Sequence, residues 1–104
     1  MIEIIFSKNA EKTYQLLKSS NLPEDKLLLK IIDAKVELIK LDPQLGNKIK
    51  KKQIPKDLHI NNLFIIPLPC YWRMLYTLKQ DKLEILAFVI DIYDHKAYDK
   101  TMKY

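Results

Sequence analysis

Four residues have the types and setting to do chemistry: Arg73, His95, Lys96 and Tyr98. Arg73 is the only arginine in the chain, and it sits in an otherwise apolar run, Trp72-Arg73-Met74-Leu75-Tyr76. A guanidinium placed there is costly unless its planar fork is paired or meets an anion at an open face. Two readings follow: a salt bridge to Asp91 or Glu84 on a neighbouring strand, or a clamp on a phosphate. His95, in Asp94-His95-Lys96-Ala97-Tyr98-Asp99, titrates near neutrality and can move protons, with Asp94 and Asp99 close in sequence to raise its basicity. Tyr98 can stack on a base or relay a proton, or else simply pack. Tyr93 and Tyr104 share that ambiguity, and Cys70, between Pro69 and Tyr71, reads as inert.

The charge points to an anionic partner. Of 18 basic residues, Lys48, Lys50, Lys51, Lys52 and Lys56 fall between Gln44 and Lys56, where there is no acid. Setting those aside leaves 13 basic residues against 13 acidic ones, so the whole net charge of +5 lies in one segment. Such a run suits a phosphate backbone bound through counterion release, though many such runs are only solvated loops.

Other chemistries find little support. A single glycine, Gly46, rules out a glycine-rich phosphate loop. One cysteine and two histidines, His59 and His95, argue against a thiol cluster or zinc site and against any internal disulfide. No serine stands in a nucleophile elbow, and no cofactor is implied. No apolar run approaches the roughly 18 residues of a membrane span. The first residues, Met1 to Phe6, lack the basic start of a secretory leader, so the expected setting is cytoplasmic.

The elements that must position these residues can be read in order. At 104 residues the chain is expected to form one domain, residues 1–104. Ile2 to Phe6 reads as a strand, with Ser7 or Asn9 capping a helix that ends at Ser19-Ser20-Asn21. Pro23, Glu24 and Asp25 open a second helix that Pro43 stops. Its polar stripe is Lys26, Lys30, Asp33, Glu37 and Lys40, and the leucines and isoleucines on its other faces are expected to pack on a sheet. Asp42 to Asn61 reads as loop, with a short helical turn allowed near Lys48–Lys52. Strands follow at Leu63–Leu68, Tyr71–Lys79 and Leu83–Ile92, the last with apolar residues on both faces, and Asp94 caps a short helix from His95 to Met102. The fold class is therefore α+β: an N-terminal strand, a helical hairpin, then a three-stranded antiparallel meander and a short C-terminal helix.

This order, with Trp72-Arg73-Met74-Leu75-Tyr76 and the Asp94–Asp99 tail, resembles the RelE/ParE superfamily of toxins from type II toxin–antitoxin systems, the tail being similar to archaeal members. The resemblance implies a metal-independent, ribosome-associated mRNA endoribonuclease that inhibits translation. Its partners would be the ribosome, mRNA and a cognate antitoxin protein, with a homodimer when antitoxin is absent. It further implies that Arg73 holds the scissile phosphate, His95 transfers protons, Lys96 stabilises charge and Tyr98 stacks or relays a proton. Lys50, Lys51 and Lys52 would grip the RNA backbone. One departure stands out. Ribosome-dependent members carry lysines on the strand before the arginine strand, whereas this chain reads Phe64-Ile65-Ile66-Pro67 there. That leaves a second reading, a non-catalytic binding module of the gyrase-inhibiting or degenerate-toxin kind.

Overall fold

In the computed structural model, residues 2–90 are described; the tail expectations, including the helix from His95, lie outside them. Strand β1 (Glu3–Phe6) runs into helix α1 (Lys8–Ser19), and helix α2 (Pro23–Leu41) follows. Strands β2 (Asn47–Lys48), β3 (Phe64–Pro67), β4 (Trp72–Lys79) and β5 (Lys82–Ile90) complete the sheet.

Ser7, not Asn9, caps α1. Its hydroxyl oxygen accepts from the Ala10 N–H at 3.1 Å, filling one of the orphan donors of the first turn. The same hydroxyl donates to the Leu86 carbonyl at 2.6 Å, and the Ser7 N–H donates to the Ile85 carbonyl at 2.9 Å. One small side chain thus fixes where α1 leaves the sheet. Pro23 occupies the first turn of α2, where a missing N–H costs nothing, and Ser20 donates to the Asp25 carboxylate at 2.6 Å.

The five strands lie in the order β1-β5-β4-β3-β2. The meander is antiparallel as expected, and β1 joins it parallel to β5. Two features depart from the sequence reading. First, the lysine segment supplies β2 at the sheet edge and a 3₁₀ turn at Lys56–Leu58, besides the short helical turn allowed near Lys48–Lys52, which is the 3₁₀ turn Lys51–Gln53. Second, β5 does not alternate evenly. Leu75 pairs with Ala87 and Tyr76 with Ile85, so Leu86 is an extra residue, a β-bulge. The bulge resets the alternation and brings Ile85 and Phe88 to the same, helix-covered face.

The sheet separates two apolar clusters. On the helix side, Ala10 and Leu17 of α1 and Leu28, Ile32 and Ile39 of α2 pack with Phe64, Ile66, Met74, Tyr76, Leu83, Ile85 and Phe88. On the opposite side, Leu63, Ile65 and Leu75 are covered by Ile49, Ile54 and Ile60 of the lysine segment. Helix α2 buries less than its pattern suggested. Leu27, Leu38 and Leu41 are exposed, whereas Lys40 of the polar stripe is half-buried.

With one glycine in the chain, the turns fall on other residues. His59, Cys70, Tyr71 and Gln80 all have positive φ. Gln80 turns β4 into β5, and Cys70 and Tyr71 turn β3 into β4.

Candidate nucleic-acid interface

Arg73 is the second residue of β4 and is half-buried. Its strand partners are Pro67 of β3 and Val89 of β5. Because side chains alternate along a strand, Arg73 shares a face with Leu75, while Trp72, Met74 and Tyr76 join the helix-side core. Arg73 therefore stands on the face away from the helices. A salt bridge to Glu84 is not the explanation for it: Glu84 pairs with Thr77, four residues further along β4, and its carboxylate holds Lys79 at 2.9 Å. Asp91, the other acid considered, lies outside the described residues.

The lysine segment crosses that same face. Ile49, Ile54 and Ile60 are its anchors on Ile65 and Leu75, and the residues between them are turned outward. Lys48, Lys50, Lys51, Lys52 and Lys56 are all exposed. Leu75 is two residues from Arg73, about 7 Å along the strand. From Asn47, opposite Ile65, the segment runs past Phe64 to Leu63, toward the Thr77 end of β4, so the lysines and Arg73 share one side of the sheet with Leu75 between them.

Arg73 opens into a depression of about 510 Å³ lined also by Pro67, Leu68, Cys70, Tyr71 and Trp72. Tyr71 is a residue that sequence reasoning missed. Assigned there to the start of a strand, it lies instead in the hairpin turn and is 72% exposed. Cys70 and Tyr71 both have positive φ, 58° and 65°, as a tight two-residue hairpin turn requires. For residues with a Cβ that conformation costs about 1–2 kcal/mol each. The cost holds an aromatic ring in solvent next to a guanidinium, an arrangement able to stack a base and hold its phosphate. The signal in the sequence was Pro69 immediately before Cys70-Tyr71, between two β-rich runs.

Below this face lies Tyr76. Its O–H donates to the Pro43 carbonyl at 2.8 Å, and its oxygen accepts from the Gly46 N–H at 2.9 Å. Its ring stacks on Phe64 with centroids 5.1 Å apart. Burial raises the Tyr76 pKa above its ordinary value. This is a structural role: the tyrosine of the Trp72–Tyr76 run pins the start of the lysine segment to β4.

Strand β3 contributes no charge. Phe64, Ile65 and Ile66 are all buried, divided between the two apolar clusters. His59 stands apart from Arg73, in a smaller cleft with Asn61, Thr77, Lys79 and Gln80 at the opposite end of β4. His95, Lys96 and Tyr98 lie outside the described residues. Ile90, the last described residue, pairs with Trp72. Among the described residues, no three His, Cys, Asp or Glu side chains converge as a metal-ligand set would require. No described helix is long and apolar enough to cross a membrane.

No protein-family profile matches the chain, and no curated protein matches it. Among solved structures it is similar to the YoeB dimer from Staphylococcus aureus, with a TM-score of 0.62 and 19% sequence identity over 83% of this chain and 92% of that one. The likeness is one of fold: the α+β arrangement of N-terminal strand, helical hairpin and antiparallel meander expected from the sequence is the arrangement found.

Proposed function

We propose that this chain is the toxin of a toxin–antitoxin pair and cleaves mRNA on the ribosome, without a metal ion, in the cytoplasm. The observation that carries the reading is that Arg73 and the lysine segment lie on the same side of the sheet. Arg73 and Tyr71 rim one depression, exposed lysines sit on the segment that covers Leu75, and Ile90 pairs with Trp72 at the depression's edge.

In this reaction the RNA 2′-hydroxyl attacks the adjacent phosphorus, forming the new P–O bond as the bond to the 5′-oxygen breaks. The protein must take the hydroxyl proton, balance the extra charge on phosphorus and protonate the departing oxygen. Arg73 offers a bidentate fork for the nonbridging oxygens. His95 serves as the proton-transfer group, Lys96 as a further charge, and Tyr98 as a stacking or relay residue. Lys48, Lys50, Lys51, Lys52 and Lys56 hold the RNA backbone without reading its sequence. A cognate antitoxin covering the face restrains it, and the free toxin self-associates.

The apolar β3 favours a second reading. With Phe64, Ile65 and Ile66 buried, that strand supplies no cation to the chemistry, as a purely binding relative would permit. Inducing the protein in growing cells and mapping transcript ends on translating ribosomes separates the two. New ends that vanish with Arg73→Ala support the nuclease. Growth arrest with unchanged transcripts, insensitive to Arg73→Ala and His95→Ala but lost with the lysine run, supports the binding module. Normal growth with intact transcripts defeats both.

A further inference from the structure

The outward face of α2 is apolar, and among the described residues nothing covers it. Leu27 is 56% exposed, Leu38 47% and Leu41 77%. At 100° per residue these three fall within one narrow sector with Ala34, bordered on one side by Lys30 and Glu37. The sector is separate from the Leu28, Ile32 and Ile39 stripe that packs into the core. A solvated helix has no use for a second leucine stripe.

The spacing of this stripe is symmetric. Ala34 lies seven residues after Leu27 and seven before Leu41, about 10.5 Å each way along the axis. We infer that a second copy of this chain docks here, α2 against α2 in antiparallel fashion, crossing at Ala34. The exposed alanine, with only a methyl, lets the two helices approach closely at the two-fold axis. Each Leu27 then meets the second copy's Leu41, and the seven-residue repeat keeps these contacts on the seam at a shallow crossing angle.

Charge agrees with that register. Lys30 is four residues before the axis, and Leu38 is four after it. The Lys30 stem therefore lies over the second copy's Leu38, and its ammonium reaches the adjacent Glu37 of that copy. The two-fold makes this pair twice. Among the described residues Glu37, itself exposed, holds Lys40 of its own helix at 2.9 Å, a weak tie that leaves it able to share a second cation. A parallel pairing would carry the Lys30 of one copy and the Glu37 of the other to opposite sides of the seam. The face, roughly 21 Å by 10 Å, is small for a specific interface, so a reversible, micromolar dimer is expected.

This proposal names the surface for the self-association stated above and does not depend on RNA cleavage. Its test is sedimentation equilibrium of the full chain over a range reaching tens of micromolar. The expected result is a monomer–dimer equilibrium weakened about a hundredfold by Ala34→Glu, with an unchanged melting temperature because the side chain is exposed. Lys30→Glu and Glu37→Lys should each weaken the dimer, and the two together should restore it. A wild-type chain that stays monomeric overturns both self-association and this surface. A dimer indifferent to Ala34→Glu overturns the surface alone. A monomer in which Ala34→Glu lowers the melting temperature also overturns it, because the chain itself would then cover the face.

Discussion

The Tyr76 hydroxyl bridges the Gly46 N–H and the Pro43 carbonyl, tying the strand that carries Arg73 to the first residues of the lysine segment. A Cβ at Gly46 would stand 3.0 Å from both Cε1 and the hydroxyl of Tyr76 and 3.2 Å from the Ile65 carbonyl. The chain's one glycine is therefore required by close approach, since its φ is not positive. Tyr76→Phe strands a donor and an acceptor and should cost about 1–3 kcal/mol. Gly46→Ala should cost a similar amount by forcing ring or loop aside, about 1–3 kcal/mol. Urea unfolding measures both, and a neutral Gly46→Ala would show that the segment moves freely.

The hairpin turn at Cys70 and Tyr71 should trade stability against binding. Replacing the pair by an asparagine–glycine turn (Cys70→Asn with Tyr71→Gly) relieves two positive-φ residues and should stabilise the fold by about 1 kcal/mol. The same change removes the exposed ring and should weaken single-stranded RNA binding by about 1–3 kcal/mol. Thermal melts and fluorescence anisotropy with a short RNA read the two effects separately. Unchanged binding would assign Tyr71 no part in the interface.

The basic face should show itself in salt dependence. Replacing Lys50, Lys51 and Lys52 together by alanine should lower the slope of log K against log salt by about 2 for single-stranded RNA. Because all three are exposed, stability should hold. An unaltered slope would mean that these lysines are merely solvated.

The helical hairpin carries an alkaline weak point. Tyr14 of α1 donates to the Asp33 carboxylate of α2 at 2.6 Å, and that bond, aided by burial, pushes its pKa from 10.0 up to about 12. The neutral phenol is the form that the fold favours. Its contribution is complete below pH 10 and is lost as pH rises toward 12. Tyr14→Phe should therefore be less stable than the parent at neutral pH, with the difference shrinking across that window. Chemical denaturation at pH 8 and near pH 12 would check it; a constant difference would mean that the bond does not form.

Much of this molecule is written locally. Ser7 before an apolar-periodic run, Pro23 with two acids behind it, and the Gln80 turn between two β-rich stretches each mark a boundary through the chemistry of one or two residues. The confinement of excess charge to residues 44–56 is likewise a property of sequence alone. Tertiary structure decided what depends on partners distant in sequence. The parallel pairing of β1 with β5 joins the two ends of the described chain, and no local pattern specifies it. The bulge at Leu86 belongs to its pairing with the neighbouring strand and its carbonyl's bond from the Ser7 hydroxyl, so period-two alternation alone does not put Ile85 and Phe88 on one face. The lysine segment had no periodicity to read, because isoleucines at 49, 54 and 60 pack as isolated anchors and not as one face of a helix or strand. Folding those three anchors onto the Leu63, Ile65 and Leu75 cluster put the lysines on the side of the sheet that carries Arg73. Sequence supplied a cationic segment and a lone arginine; the packing of three isoleucines put them on one side of the sheet.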